Sequence, residues 1–258
     1  MTEREDRIGR PVKIPGKEAA KPALPKRFYD EVSAAEQDGG FAVLLDGRTV
    51  RTPLKLQLIV PTRALAEAIA EEWAAQDAHI DPATMPLSRL AITAIDGVAQ
   101  HAGDVAADIV RFAGNDLLCY RAESPEALIE LQTKAWDPVL NWADAELGAR
   151  FVLAEGVMPV VQSKAALKRI AGVVSAYDPM GLTALHVMTT LTGSALLALA
   201  HALGLLSAEE AWAAAHVDED WQVSQWGVDA EAAERREKRW QEMLAASRFL
   251  RLSGAWDG

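Results

Sequence analysis

Apolar and polar positions follow two different rhythms along this chain. Between residues 26 and 62 the apolar runs are short: "FAVLL", "RTVRT" and "LQLIVP". Asp46-Gly47 separates the first two. That dipeptide suits a tight two-residue turn, which needs positive φ at both central positions, so a β-hairpin is expected. "RFYDEVSAAEQ" supplies a fourth strand, and this region reads as an antiparallel sheet. Helical spacing then takes over. Thr62 is placed to cap a helix in which Leu65, Ile69 and Trp73 recur every fourth residue, so Trp73 is expected in the core. In "MPLSRLAITAID", Pro86 opens a helix whose Leu87, Leu90, Ala91 and Ala94 share one face. Arg89 falls off that face and is a candidate anchor for an acid across the domain junction.

"DLLCYRA" and "RFVLAEGVMPVV" are short and apolar enough to be strands or buried connectors, and the pattern does not separate the two. Ser124 is placed to cap a helix with Pro125 at its first position. From Ser163 onward the spacing is helical throughout. Gly181 to Leu206 carries no charge and is long enough for a bilayer, but holds His186, His201 and several hydroxyls without flanking basic anchors. It reads as the central helix of a soluble bundle, interrupted at Gly193 and with both histidines hydrogen-bonded inside. The expected fold is α+β. A flexible tail (1–25) leads into a β-rich N-terminal domain with an antiparallel sheet (26–100) and a mostly helical C-terminal domain (101–258).

Composition narrows the function classes. A formal charge of −11 over 258 residues argues against a general nucleic-acid binder, which needs basic patches to displace counterions. Cys119 is the single cysteine, so neither an internal disulfide nor a cysteine-cluster metal site can form, which fits a reducing compartment. The N-terminus has no apolar centre and several acids, unlike a secretory or transit signal. Among the five histidines no pair has metal-ligand spacing on a helix, and no phosphate loop, dinucleotide fingerprint or nucleophile elbow occurs. No catalytic residue, cofactor or metal is therefore expected.

One stretch stands apart. "LSAEEAWAAAHVDEDWQVSQWG" opens with Ser207 and Glu210 in capping-box spacing and ends on Gly227, the favoured residue past a helix C-terminus. At 100° per residue, Trp212, His216, Glu219, Val223 and Trp226 form one stripe. Asp218 and Trp221 point away from it and Asp220 lies near its edge. A buried, unpartnered carboxylate is costly. So either the face is partly open to water, or Glu219 meets a cation there, from "ERREKRW" folded back in a helical hairpin or from another protein.

The blocks "KRFY", "GGFAVLLDGRTVRTP", "MPLSRLAITAID", "TLTGSALLALA" and "DEDWQVSQWG" occur in an order that resembles the F-type ATP synthase assembly chaperones that bind the free alpha subunit of the F1 head. The resemblance runs from about Lys26 to Trp240. It implies a β-rich domain joined to a helical one. It also implies a protein client, the ATP synthase alpha subunit, held until beta replaces it, and no enzymatic activity, nucleotide or metal. It places partner binding on Glu219 first, then Asp218 and Asp220; Trp226 on the same stripe and Arg89 are further candidate contacts. A monomer in a bacterial cytoplasm is the consistent expectation, the mitochondrial relatives acting in the matrix. The competing expectations are an enzyme with a site between the domains and a regulatory subunit of a stable complex.

Overall fold

Two Asp-Gly turns set the sheet. In this computed structural model, which describes residues 24–155 and 160–254, Asp38-Gly39 and Asp46-Gly47 all have positive φ, from 47° to 79°. Such two-residue loops match the right-handed twist of the strands they join. They connect β1 (Val32–Gln37), β2 (Gly40–Leu45) and β3 (Arg48–Thr49), and β4 (Ile59–Val60) returns to β2. All pairings are antiparallel. β2 is central, with Val32 opposite Leu45, Leu44 opposite Thr49 and Phe41 opposite Val60. The expected flexible tail falls, up to residue 23, outside the described residues.

Helix α1 (Arg63–Ala74) packs across β1 and β2 through Leu65, Ala66 and Ile69. Thr62 caps it as its spacing predicts, its hydroxyl oxygen accepting from Leu65 N at 3.1 Å. The same hydroxyl donates to Leu252 O, tying the sheet layer to the end of the chain's last helix. Trp73 departs from expectation. It is half-buried, its ring edge-on to Tyr29 at 5.8 Å, because the extended segment around Tyr29 covers only part of it.

Helix α2 (Pro86–Asp96) starts at a proline and buries Leu87, Ala91 and Ala94 against α1 and the helices described below. The orphan N–H groups of its first turn are met from outside the helix. The Glu72 carboxylate accepts Leu87 N at 2.7 Å, Ser88 N at 2.8 Å and the Ser88 hydroxyl at 2.7 Å. Glu72 is thus the acid that joins the layers. Arg89 is exposed and pairs with no carboxylate among the described residues, so the ion pair expected of it is absent. Glu72→Ala should lower stability by about 1–3 kcal/mol, the cost of stranding donors in a half-buried first turn. Urea denaturation checks this, and a midpoint equal to wild type would contradict it.

The helical layer contains α3 (Ala102–Gly114), α4 (Glu126–Leu147), α5 (Lys164–Val174), α6 (Pro179–Thr192), α7 (Ala195–Ala202), α8 (Ala208–Ala215), α9 (Val217–Trp226) and α10 (Ala230–Leu252). The helix α4 begins one residue later than predicted, with Pro125 in the capping position. "DLLCYRA" and "RFVLAEGVMPVV" contribute one two-residue parallel pair, β5 (Tyr120–Arg121) with β6 (Ala154–Glu155), and residues 156–159 of the second stretch lie outside the described residues. The uncharged segment is two helices rather than one. Gly193, at φ 68°, turns the chain between α6 and α7. α6 packs against α2, α3, α7, α8 and α10, which explains why it is apolar all round. Among the described residues no helix is long and apolar enough to cross a membrane. One cluster of buried residues runs from Tyr29 to Leu250 through both layers.

Asp116 pins the α3–α7 junction. It is fully buried, and its carboxylate accepts Leu118 N at 3.2 Å and Leu196 N at 3.0 Å. Burial outweighs these bonds and pushes its pKa up to about 6 from 3.8. The folded state therefore binds a proton between about pH 4 and 6 that the unfolded state has released. Asp116 thus makes stability rise as pH falls through that window, opposite to ordinary acid denaturation. Relative to Asp116→Asn, wild type should gain about 2–3 kcal/mol between pH 7 and pH 4. Parallel pH–stability curves for the two proteins would refute the shift.

Candidate partner-binding site

The predicted continuous helix from Ser207 to Trp226 breaks at His216. Ser207 and Glu210 make their reciprocal capping box, Ser207 N donating to the Glu210 carboxylate at 2.8 Å and Glu210 N to the Ser207 hydroxyl at 3.1 Å. The chain then leaves helical geometry at His216, with φ −115° and ψ 19°. His216 is buried, lies 4.0 Å from the Trp212 ring and hydrogen-bonds Trp212 O through Nδ1 at 2.7 Å. These contacts hold the ring in place of a further α turn. The break divides the predicted stripe. Trp212 goes into the core against Trp240 at 5.4 Å, whereas Glu219, Val223 and Trp226 emerge on α9, of which no residue is buried.

These three line a groove of about 600 Å³ between α9 and α10, whose far wall carries Arg235, Arg236 and Arg239. Gly227 ends α9 at φ 88°. Beyond it Asp229 caps α10, accepting Glu231 N at 2.9 Å. "ERREKRW" thus does fold back against "DEDWQ", as the helical-hairpin alternative expected, but it does not take Glu219. Arg236 pairs with Asp220 in two hydrogen bonds, the longer 3.2 Å. That contact is the main reason the guanidinium pKa is raised. Arg235 pairs with Glu231, and Arg239 donates to Leu191 O at 2.6 Å.

Asp218 is engaged on the other side, accepting from Gln132 Nε2 of α4 at 2.7 Å. Gln132 is itself buried and accepts Ala122 N at 2.9 Å. Glu219 remains. Its side chain is 59% exposed and its nearest basic atom is His216 Nε2 at 3.9 Å. Burial, aided by the Arg236 and Arg239 charges, holds the His216 imidazole below its ordinary pKa. The ring is therefore neutral at pH 7 and leaves Glu219 without a charged partner in that contact. Two acids hold α9 in place and the third is open. At the mouth of the groove Trp226 is 88% exposed and Val228 72%.

Trp221 lines a second groove on the α4 side of α9. Sequence spacing therefore placed Glu219, Trp226 and Trp221 on the faces they occupy. It missed Gln132, which comes from a helix distant along the chain, and it offered the basic run holding Arg236 to Glu219, whereas Arg236 pairs with Asp220. The two histidines of the uncharged segment differ. His201 is buried and bonded to Ser247 Oγ at 2.8 Å and Leu206 O at 2.9 Å. His186 is instead half-exposed, 2.9 Å from Asp108 Oδ2. Among the described residues no three His, Cys, Asp or Glu side chains gather as a metal site requires.

The ATP12 chaperone protein family model matches residues 26–144. The mitochondrial protein atp12 of Schizosaccharomyces pombe is 24% identical over 238 residues, spanning 87% of this chain and 81% of that protein. Among solved structures, Atp12 from Paracoccus denitrificans is similar with a TM-score of 0.86 and 44% identity, covering 89% of this chain and 98% of that one. A structure from Agrobacterium tumefaciens gives a TM-score of 0.86 at 53% identity, covering 89% of this chain and 86% of that one. The chain thus belongs to the ATP12 chaperone family, the assembly factors of the F1 sector of ATP synthase.

Proposed function

We propose that this protein holds the unassembled alpha subunit of F1 until beta takes its place, and that it does so through α9 and the groove beside α10. The work is binding, without catalysis, nucleotide or metal, and its place is the bacterial cytoplasm. The observation that carries the site is the uneven engagement of the three acids. Asp218 and Asp220 are held by Gln132 and Arg236, whereas Glu219 stands half-exposed beside arginines that already have partners. A basic residue of the client completes that set. Trp226 and Val228 offer apolar area next to it, the combination of aromatic anchor and charge on which protein interfaces concentrate their energy. Arg89, exposed and unpaired on α2, is a further contact.

A chaperone must recognise a surface that disappears on assembly. Immobilised protein should therefore capture purified alpha subunit and fail to capture the completed F1 head. Co-purification with intact synthase in fixed stoichiometry would overturn the proposal in favour of a permanent subunit.

A further inference from the structure

Strand β1 has a partner on one side only. Its pairing with β2 is antiparallel, and Asp46 N donates to Glu31 O at 2.9 Å, so the ladder engages residues 31, 33, 35 and 37. In such a ladder alternate residues turn their N–H and C=O groups the other way. For β1 these are Val32, Ala34 and Glu36, whose backbone groups bond to nothing among the described residues. We propose that this edge receives an extended, basic segment of another protein chain, which adds to the sheet as a strand beside β1. The site lies on the sheet layer and does not depend on the reading of α9.

The open ladder fixes the form of the occupant. From Val32 to Glu36 it runs about 14 Å and offers donors and acceptors at every second residue. An extended backbone meets these in step, the mode of recognition in which a peptide augments a sheet. A helix bonds its own backbone and leaves them unmet. Nothing in β1 obstructs a neighbour, for Ser33, Ala34 and Ala35 are small and the strand holds no proline. Val32 and Ala34 stand opposite Leu45 and Val43, which are buried. An incoming strand with apolar residues at alternate positions therefore extends that buried face.

Charge selects the sign. Asp30, Glu31, Glu36 and Asp38 lie along the edge and at its two ends, all exposed, and none forms an ion pair among the described residues. The neighbouring cations are fewer. Arg27 and Arg48 lie beside Asp46, itself an acid, and Arg63 pairs with Glu67 at 3.9 Å. The balance at the edge is negative, and it favours lysine or arginine at the ends of the occupant. The same charge disfavours a second copy. Two β1 edges paired antiparallel along their full length set Asp30 of each against Asp38 of the other, and like charges directly opposite destabilise a ladder.

The test uses the full chain, isotope-labelled for NMR, and a synthetic peptide of sequence Lys-Thr-Val-Thr-Val-Thr-Lys. Amide hydrogen exchange reads the edge directly. In the free protein the amides of Ser33, Ala35 and Gln37 are bonded to β2 and should exchange slowly, whereas those of Val32, Ala34 and Glu36 should exchange fast. Saturating peptide should slow the second set by at least about tenfold. The same peptide with its central amides N-methylated keeps its side chains and charge but cannot donate to a ladder. It should bind at least about tenfold more weakly. Glu31→Lys with Glu36→Lys changes two exposed, unpaired side chains, so the fold should stand. Affinity for the lysine peptide should then fall, and that for a peptide ending in glutamates should rise. Protection elsewhere with the three edge amides still fast would overturn the proposal, as would equal binding of the N-methylated peptide. So would a dimer in sedimentation that Ala34→Pro, which removes an edge N–H, abolishes; it would give the edge to a second copy. No alpha subunit enters the assay, so its failure and the failure of the α9 reading are separate results.

Discussion

Replacing Trp136 by alanine should lower the unfolding free energy by about 3–5 kcal/mol, the range for truncating a buried tryptophan. Trp136 has no exposed surface and its indole N–H donates to Ala214 O at 2.7 Å. The Arg121 guanidinium lies 5.1 Å from its ring and is paired with Asp137 at 2.6 Å. The substitution opens a cavity, strands a carbonyl near the C-terminus of α8 and takes away the ring beneath Arg121. In a chain of this size the melting temperature should fall by about 10 °C or more. Trp136→Phe separates the contributions. It refills most of the volume but leaves Ala214 O unpaired, so its cost should lie nearer the 1–3 kcal/mol or so of one unsatisfied buried group. A loss below about 1 kcal/mol for the alanine variant, outside the range for buried aromatics, would mean that the α4–α8 contact is not structural.

Glu219→Gln should leave the melting temperature where it is and weaken capture of free alpha subunit by about 2–5 kcal/mol, roughly thirtyfold or more in Kd. The substitution keeps the volume and removes the charge. No internal cation is stranded by it, because Arg236 keeps Asp220 and Arg239 keeps Leu191 O. Asp220→Asn is the informative contrast. Its pair is half-open to solvent, 53% exposed at Asp220 and 29% at Arg236, so the stability lost is under about 1 kcal/mol. Capture should nevertheless fall, because the contact that sets α9 against α10 is gone. A thermal melt and a capture assay on both variants decide the matter. If Glu219→Gln lowered stability and left capture normal, the groove between α9 and α10 would have no claim to be the interface.

The parts of this molecule that could be read in advance are those whose cause is local in sequence. Asp46-Gly47 makes its turn because those two residues tolerate positive φ, whatever lies around them. Thr62 and the Ser207–Glu210 box cap helices with atoms three residues away. The faces of α9 followed from a 100° step, so Glu219 was separable from Asp218 and Trp221 before any coordinate. What could not be read is where long-range contacts overrule local preference. Nothing in "AWAAAHVDED" breaks a helix. His216 does so because its ring is held against Trp212. Trp73 has helical spacing for the core, but its burial depends on how far the Tyr29 segment reaches. Glu72 accepts the N–H of Leu87, fifteen residues later in the chain, in the first turn of α2, a relation that no spacing rule contains. The assignment of acids was likewise open until Gln132 and Arg236 could be placed beside them.

The break at His216 also bears on how a bound chain is let go. A ten-residue helix is too short to be stable by itself, and α9 is fastened mainly through the bond from Gln132 and the pair with Arg236. Opening of such an element costs less than unfolding the domain, so α9 is expected to leave its seat more often than the whole chain unfolds. His216, buried and bonded to Trp212 O, is the natural pivot for such an opening. Each departure loosens both grooves together, since α9 is a wall of each. If α9 seats the client as proposed, release would follow the tempo of this local opening, and the grip could be firm without being slow to let go.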